Sequence, residues 1–136
     1  MSFVGEYRHT LDAKNRLFIP AKYREMLGDS FYITRKMEKC LAIYSEEEWN
    51  KMAEKLNMLP DSVVGDIKQF IYSKTINPPT DSQGRVVLTP ELIQYAGIDK
   101  NVVIIEVGIG EILSESDMVK IYGQESDGTA EDNYVN

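Results

Sequence analysis

The feature that most constrains this chain is an internal repeat. Shifted against itself by 69 positions, the sequence keeps one ungapped register in which Asp12 falls on Asp81, Arg16 on Arg85, Gly28 on Gly97, Ile43 on Ile112, Ser45 on Ser114 and Glu46 on Glu115. Six identities among the 38 pairs from residue 12 onward say little by themselves. The shared pattern says more, because each half runs turn, apolar strand, short helix, glycine stop, paired strands and serine-capped helix. At 136 residues, the two units have room for one domain's core between them.

The repeat is clearest where "LDAKNRLFIPAKYREMLG" (11–28) meets "TDSQGRVVLTPELIQYAG" (80–97). In each, the Asp can accept hydrogen bonds from amides of its own turn, and Asn15 or Gly84 tolerates positive φ. "RLFIP" and "RVVLT" read as short buried strands, too apolar to alternate cleanly. Thr89 is a helix N-cap with Pro90 at the first helical position, and Gly28 and Gly97 are left-handed helix stops.

"EYRHT", "FYITR", "CLAIY", "NVVIIEV" and "EILS" read as strands. In "SEEEWNKMAEKLNM", Ser45 and Glu48 form a capping box ahead of a Trp49, Met52, Ala53, Leu56 stripe. "SESDMVKIYG" is expected to repeat that helix, with Ser114 as cap, Met118, Ile121 and Tyr122 as the stripe and Gly123 as the stop. Between the halves, Val64, Ile67, Phe70 and Ile71 mark a linker helix that ends at Pro78-Pro79. The resulting division is a first repeat with its helix over 1–58, a linker over 59–79, a second repeat over 80–123 and an acidic, disordered tail over 124–136.

A formal charge of -7 argues against nucleic acid only if it is spread evenly, and it is not. Residues 1–39 hold eight Lys/Arg against five Asp/Glu, whereas residues 104–136 hold one against eight. The longest branched apolar run, Val102 to Ile105, is far too short to span a bilayer. The lone Cys40 allows no internal disulfide, fits a reducing cytoplasm and reads as a buried strand residue.

An arginine presented twice by the same turn can meet phosphates or guanine edges at two places per chain. Arg16 and Arg85 are the principal candidates, and Lys14, Lys22, Arg24 and Arg8 are the candidates for phosphate contacts. The residues alone leave a second reading open, in which Asp12 with Arg16 and Asp81 with Arg85 only clamp their turns. The features an enzyme requires are missing: His9 is the single histidine, and there is no metal-spaced Cys/His cluster, phosphate-cradling glycine loop or nucleophile elbow. Neither catalytic nor metal-ligating residues are expected, and no cofactor.

"GEYRHTLDAKNRLFIPAKYRE", "CLAIYSEEEW" and "DSQGRVVLTPELIQYAGI" followed by "VVIIEVG" together resemble the MraZ family of bacterial transcriptional regulators. The resemblance implies an α+β domain of two pseudo-symmetric, swapped-hairpin, AbrB-like β-rich repeats with short helices. It further implies a cytoplasmic, nucleoid-associated protein that binds repeated operator boxes on double-stranded DNA as a homo-oligomeric ring, controlling a cell-division and cell-wall gene cluster. No membrane or small-molecule substrate is implied. By position, the DNA-facing turns are Asp12 to Arg16 and Asp81 to Arg85, including Lys14, Asn15, Gln83 and Gly84, with Asp12 and Asp81 orienting the arginines. Two departures stand out: Asn15 occupies a position where the family usually has glycine, and "GIGEILS" lacks an expected arginine and tryptophan. An AbrB-type antitoxin, which binds operator DNA and a toxin, is the neighbouring alternative.

Overall fold

The computed structural model describes residues 6–107 and 118–124. The chain is α+β, and its strands pair across the two halves as well as within them. Strands β1 (Glu6–Thr10), β3 (Phe31–Lys36), β4 (Cys40–Ser45), β6 (Asn101–Val107) and β7 (Met118–Gln124) form one antiparallel sheet in the order β1-β6-β7-β4-β3. Strands β2 (Arg16–Phe18) and β5 (Arg85–Val87) form a separate two-stranded ribbon. Among the described residues, β3 with β4 and β6 with β7 pair within a half, whereas β1 with β6, β4 with β7 and β2 with β5 join one half to the other.

The main core is therefore shared. Leu17, Ile19, Tyr23, Phe31 and Ile43 from the first half pack in one cluster with Val86, Leu88, Leu92, Ile104 and Ile121 from the second, all at 1% exposure or less. Neither half retains a closed core without the other, which makes the repeat one folding unit.

Four helices among the described residues position this frame. Helix α1 (Ala21–Leu27) follows β2 and buries Tyr23 and Leu27, and α4 (Pro90–Tyr95) follows β5 and buries Leu92. Thr89 Oγ1 accepts a hydrogen bond from the Leu92 amide, as its N-cap reading requires, and Gly28 and Gly97 hold φ of 82° and 66° at the helix ends. Helix α2 (Glu46–Asn57) is capped by Ser45, whose hydroxyl accepts from the Glu48 amide at 3.2 Å. The Trp49 ring of α2 stacks on Tyr32 with 4.9 Å between centroids, covering a second, smaller core with Ala42 and Tyr44. The linker is helix α3 (Asp61–Ser73), tied to β3 by the Arg35 guanidinium, which donates to the Phe70 carbonyl at 2.6 Å.

Three sequence expectations need correction. The helix expected over 114–123 is strand β7 from residue 118 onward. "MVKIYG" alternates, with Val119 and Ile121 fully buried and Lys120 and Tyr122 only partly so, and that period of two fits the gap between β6 and β4. Gly123 is accordingly no helix stop. A Cβ there would collide with the Gly97 carbonyl oxygen and come within 2.8 Å of the Ala96 carbonyl oxygen, so glycine lets the end of α4 lie against the strand.

The ungapped register also ends at β6. Residues 37–39 join β3 to β4, but ten residues, 108–117, separate β6 from β7, so the second hairpin is longer than the first. The expected strand "EILS", the cap Ser114 and the departure in "GIGEILS" lie outside the described residues, as does the expected tail apart from Gln124, which belongs to β7. Lastly, β2 and β5 alternate after all: Leu17 and Val86 are fully buried, while Phe18 and Val87 are 38% and 55% exposed.

Candidate nucleic-acid interface

Both arginine turns are built by the same hydrogen bonds. In the first, Asp12 Oδ1 accepts from the amides of Lys14 and Arg16, each at 2.9 Å, and in the second Asp81 Oδ1 accepts from the amides of Gln83 and Arg85, each at 2.9 Å. Each turn is closed by a further amide, Asn15 to the Asp12 carbonyl and Gly84 to the Asp81 carbonyl, both at 3.0 Å. Asn15 and Gly84 hold φ of 61° and 79°, the left-handed region each was expected to supply.

The carboxylate's second oxygen holds the arginine. Arg16 Nε donates to Asp12 Oδ2 at 2.7 Å and Arg85 Nε donates to Asp81 Oδ2 at 2.8 Å. Both carboxyls are held below their ordinary value, first by the backbone amide of the arginine, then by its side chain and the second turn amide, against an opposing desolvation effect. The clamp reading is therefore correct as geometry, but it does not exhaust the guanidinium. A bond through Nε leaves the four N–H groups of the two terminal nitrogens, which form the fork that matches a phosphate or the O6/N7 edge of guanine. Among the described residues, no hydrogen bond occupies that fork in Arg16 or Arg85.

The pairing of β2 with β5 brings the turns together. Leu17 faces Val86, Arg16 faces Val87 and Phe18 faces Arg85. Since Leu17 and Val86 point into the core, Arg16, Phe18, Arg85 and Val87 share the outer face of the ribbon. The ladder extends into the turns, where the Ile19 amide donates to Gly84 and the Leu88 amide to Asn15, each at 2.9 Å. Strand spacing and rise put the two arginine Cα atoms about 8 Å apart on a diagonal. The exposed apolar pair between them was not anticipated; its only signal was the alternation of "RLFI" and "RVVL", which the apolar content of both runs obscured.

The other candidate residues distribute unevenly. Lys14 stands in the first turn and Gln83 in the second. Arg24 reaches from α1 to the second turn, where a Cβ on Gly84 would lie 2.9 Å from its guanidinium carbon. Lys22 sits on the same helix with its Nζ 6.0 Å from the centre of the Tyr7 ring. Arg8 is exposed on β1, in the main sheet and not on the ribbon. His9 is a strand residue opposite Val102, as expected.

These features define a class: an α+β domain whose two halves pair strands with each other and display paired, carboxylate-clamped arginine turns on one exposed ribbon. Comparison with known proteins narrows it. Residues 2–63 match the family model described as "MraZ protein, putative antitoxin-like". The chain is 42% identical over 131 residues to "Transcriptional regulator MraZ" of Oenococcus oeni, covering 95% of this chain and 90% of that protein. It is 45% identical over 107 residues to the protein of the same name from Ligilactobacillus salivarius, covering 77% of this chain and 75% of the relative. The one from Leuconostoc mesenteroides subsp. mesenteroides is 44% identical over 108 residues, with 78% and 76% covered. The chain belongs to the MraZ family of transcriptional regulators.

Proposed function

We propose that this protein is a sequence-specific DNA-binding regulator that reads repeated operator boxes as a homo-oligomeric ring, in control of a cell-division and cell-wall gene cluster. The observation that carries the reading is the β2-β5 ribbon, whose outer face bears Arg16 and Arg85 with their forks unengaged among the described residues. A two-stranded ribbon is narrow enough to enter a major groove, where an arginine fork pairs with guanine and an apolar side chain such as Phe18 or Val87 meets a thymine methyl. Lys14, Lys22, Arg24 and Arg8 supply the phosphate contacts that set register on the duplex, the backbones of Asn15, Gln83 and Gly84 shape the turns, and Asp12 and Asp81 orient the arginines.

Assembly follows from the same arithmetic. A chain with a net charge of -7 and few cations per ribbon binds one box weakly, and linked copies raise the effective concentration for the next box. The exposed apolar residues at the α2-α3 end, Met58, Leu59, Val63 and Ile67, support self-association between copies. Selection of bound sequences from random DNA, combined with light scattering of the free protein, tests both parts. The expected result is a short motif in tandem copies and a particle several times 15.5 kDa. Recovery of no motif, or a monomer at micromolar concentration, would contradict the reading.

A second reading follows from the family model's description as antitoxin-like. A small basic toxin that co-purifies with the protein and alters its DNA affinity would favour it.

A further inference from the structure

The fold carries Arg24 from the first half onto the turn of the second. Its Nε donates to the Ile19 carbonyl at 2.9 Å, and its guanidinium carbon lies 5.9 Å from the centre of the Phe18 ring, within reach of a cation-π contact. Its tip rests on Gly84: a Cβ at that position would stand 2.9 Å from both its Nε and its guanidinium carbon, and 3.2 Å from one terminal nitrogen. Gly84 therefore does two things. It supplies a φ of 79° and it clears the space that Arg24 fills. The first turn has no counterpart to this arrangement, because the repeat aligns Arg24 with Ile93 and Gly84 with Asn15.

We propose that Arg24 is a second DNA-contacting guanidinium of the 81–85 turn, a specificity-setting residue that makes the two ends of the ribbon read different chemistry. The first end offers one guanidinium, Arg16, with the flexible ammonium of Lys14. The second offers two anchored guanidiniums, Arg85 tied through Nε to Asp81 and Arg24 tied through Nε to Ile19. Two forks with their Nε atoms already engaged point their remaining donors with little freedom, which suits a fixed phosphate or a guanine next to it. The ribbon's near two-fold backbone thus carries an asymmetric reader, and one chain distinguishes the two ends of its site.

This inference rests on the DNA-binding reading, so its test has a control that separates the two. Arg24→Gln is the informative variant, because the glutamine amide nitrogen occupies the same position along the side chain as arginine Nε. It can keep the bond to Ile19 while losing the charge and the fork. The expected result is a melting temperature like that of the wild type, a salt dependence whose log-log slope falls by about 0.9 per engaged subunit, and loss of footprint protection at one end of each box only. Arg24→Lys restores the slope but not the discrimination of the base at that end. If Arg24→Gln binds the operator with wild-type affinity, slope and footprint while Arg85→Ala weakens binding, the assignment of Arg24 is overturned and the DNA reading survives. A fall in melting temperature with an unchanged slope for both Arg24 variants overturns it in favour of a structural staple. If neither Arg85→Ala nor Arg24→Gln affects a protein that binds the operator, the assignment of Arg24 and the placement of DNA on the 81–85 turn both fall.

Discussion

The turns at residues 12–16 and 81–85 are nearly superposable in their bonding and differ in almost everything around it. The clamp is the same to within 0.1 Å, 2.7 against 2.8 Å, and the two amides that each carboxylate accepts are all at 2.9 Å. Yet the left-handed residue is Asn15 in one and Gly84 in the other, and only Gly84 lies beneath an arginine from the opposite half. The D-x-x-x-R spacing thus sets a backbone and the direction of one guanidinium, while the elements packed against it from the other half decide what stands beside it. A repeated motif does not guarantee a repeated site.

The largest effect that tests this comparison comes from the layer both turns share. Leu17 is fully buried opposite Val86, and Leu17→Ala is expected to lose about 2 to 5 kcal/mol in urea unfolding. Because the ribbon joins the halves, the loss should come as one cooperative transition. Two separate transitions would mean that the halves are independent and that the comparison is between two domains.

Next in size is the contrast at the left-handed position. Gly84→Ala puts a new Cβ at positive φ, at about 1 to 2 kcal/mol, whereas Asn15 already carries one, so Asn15→Ala gives up only asparagine's better tolerance of that region and costs less. The Gly84 variant must in addition displace Arg24, so its loss should be the larger, and combining it with Arg24→Ala should remove the excess. An unchanged Gly84→Ala loss in the Arg24→Ala background would show that Arg24 yields freely and that the cost lies in the turn backbone alone.

How much of this was legible in the sequence depends on the range of the interactions involved. The turns, Thr89 as N-cap, the stops at Gly28 and Gly97 and helix α2 are local, specified by residues within five positions of one another, and the structure has each of them. Only the Ser45 half of the expected capping box forms, however, Glu48 Oε1 being buried without a hydrogen-bond partner among the described residues. Strand β7 was missed because the repeat suggested a second serine-capped helix, whereas its conformation is set by neighbours far along the chain: Ile121 opposite Leu41 and Ile104, and Gly123 against Gly97. The ribbon face was half legible. Arg16 and Arg85 could be named from spacing, but the exposure of Phe18 and Val87 and the reach of Arg24 to Gly84 depend on which strand pairs with which.

A smaller effect, expected to be the same at both turns, concerns pH. The Asp12 and Asp81 carboxyls titrate below their ordinary value near 3.8 in the folded chain, so the turns' contribution to stability is fully present above that value. It is lost as pH falls through the depressed folded values. Carboxyl titration by NMR should give two curves displaced in the same direction, and a normal value for Asp81 alone would mean that the second clamp is looser than the first. Smallest of all, Phe18→Ala and Val87→Ala should change stability by no more than about 0.5 kcal/mol each, since both side chains are already partly in water. Their effect should appear in DNA binding instead.

Whether these clamped arginines face DNA is decided by operator affinity measured across a range of salt concentrations for wild type, Arg16→Ala and Arg85→Ala, alongside their melting temperatures. Weaker binding is expected in both variants, with a slope reduced by about 0.9 for each phosphate contact removed or a loss of about 1 to 3 kcal/mol confined to the preferred sequence where the contact is to guanine. Wild-type affinity and slope in both variants, with melting temperatures lowered, would contradict it and leave Asp12 with Arg16 and Asp81 with Arg85 as turn clamps alone.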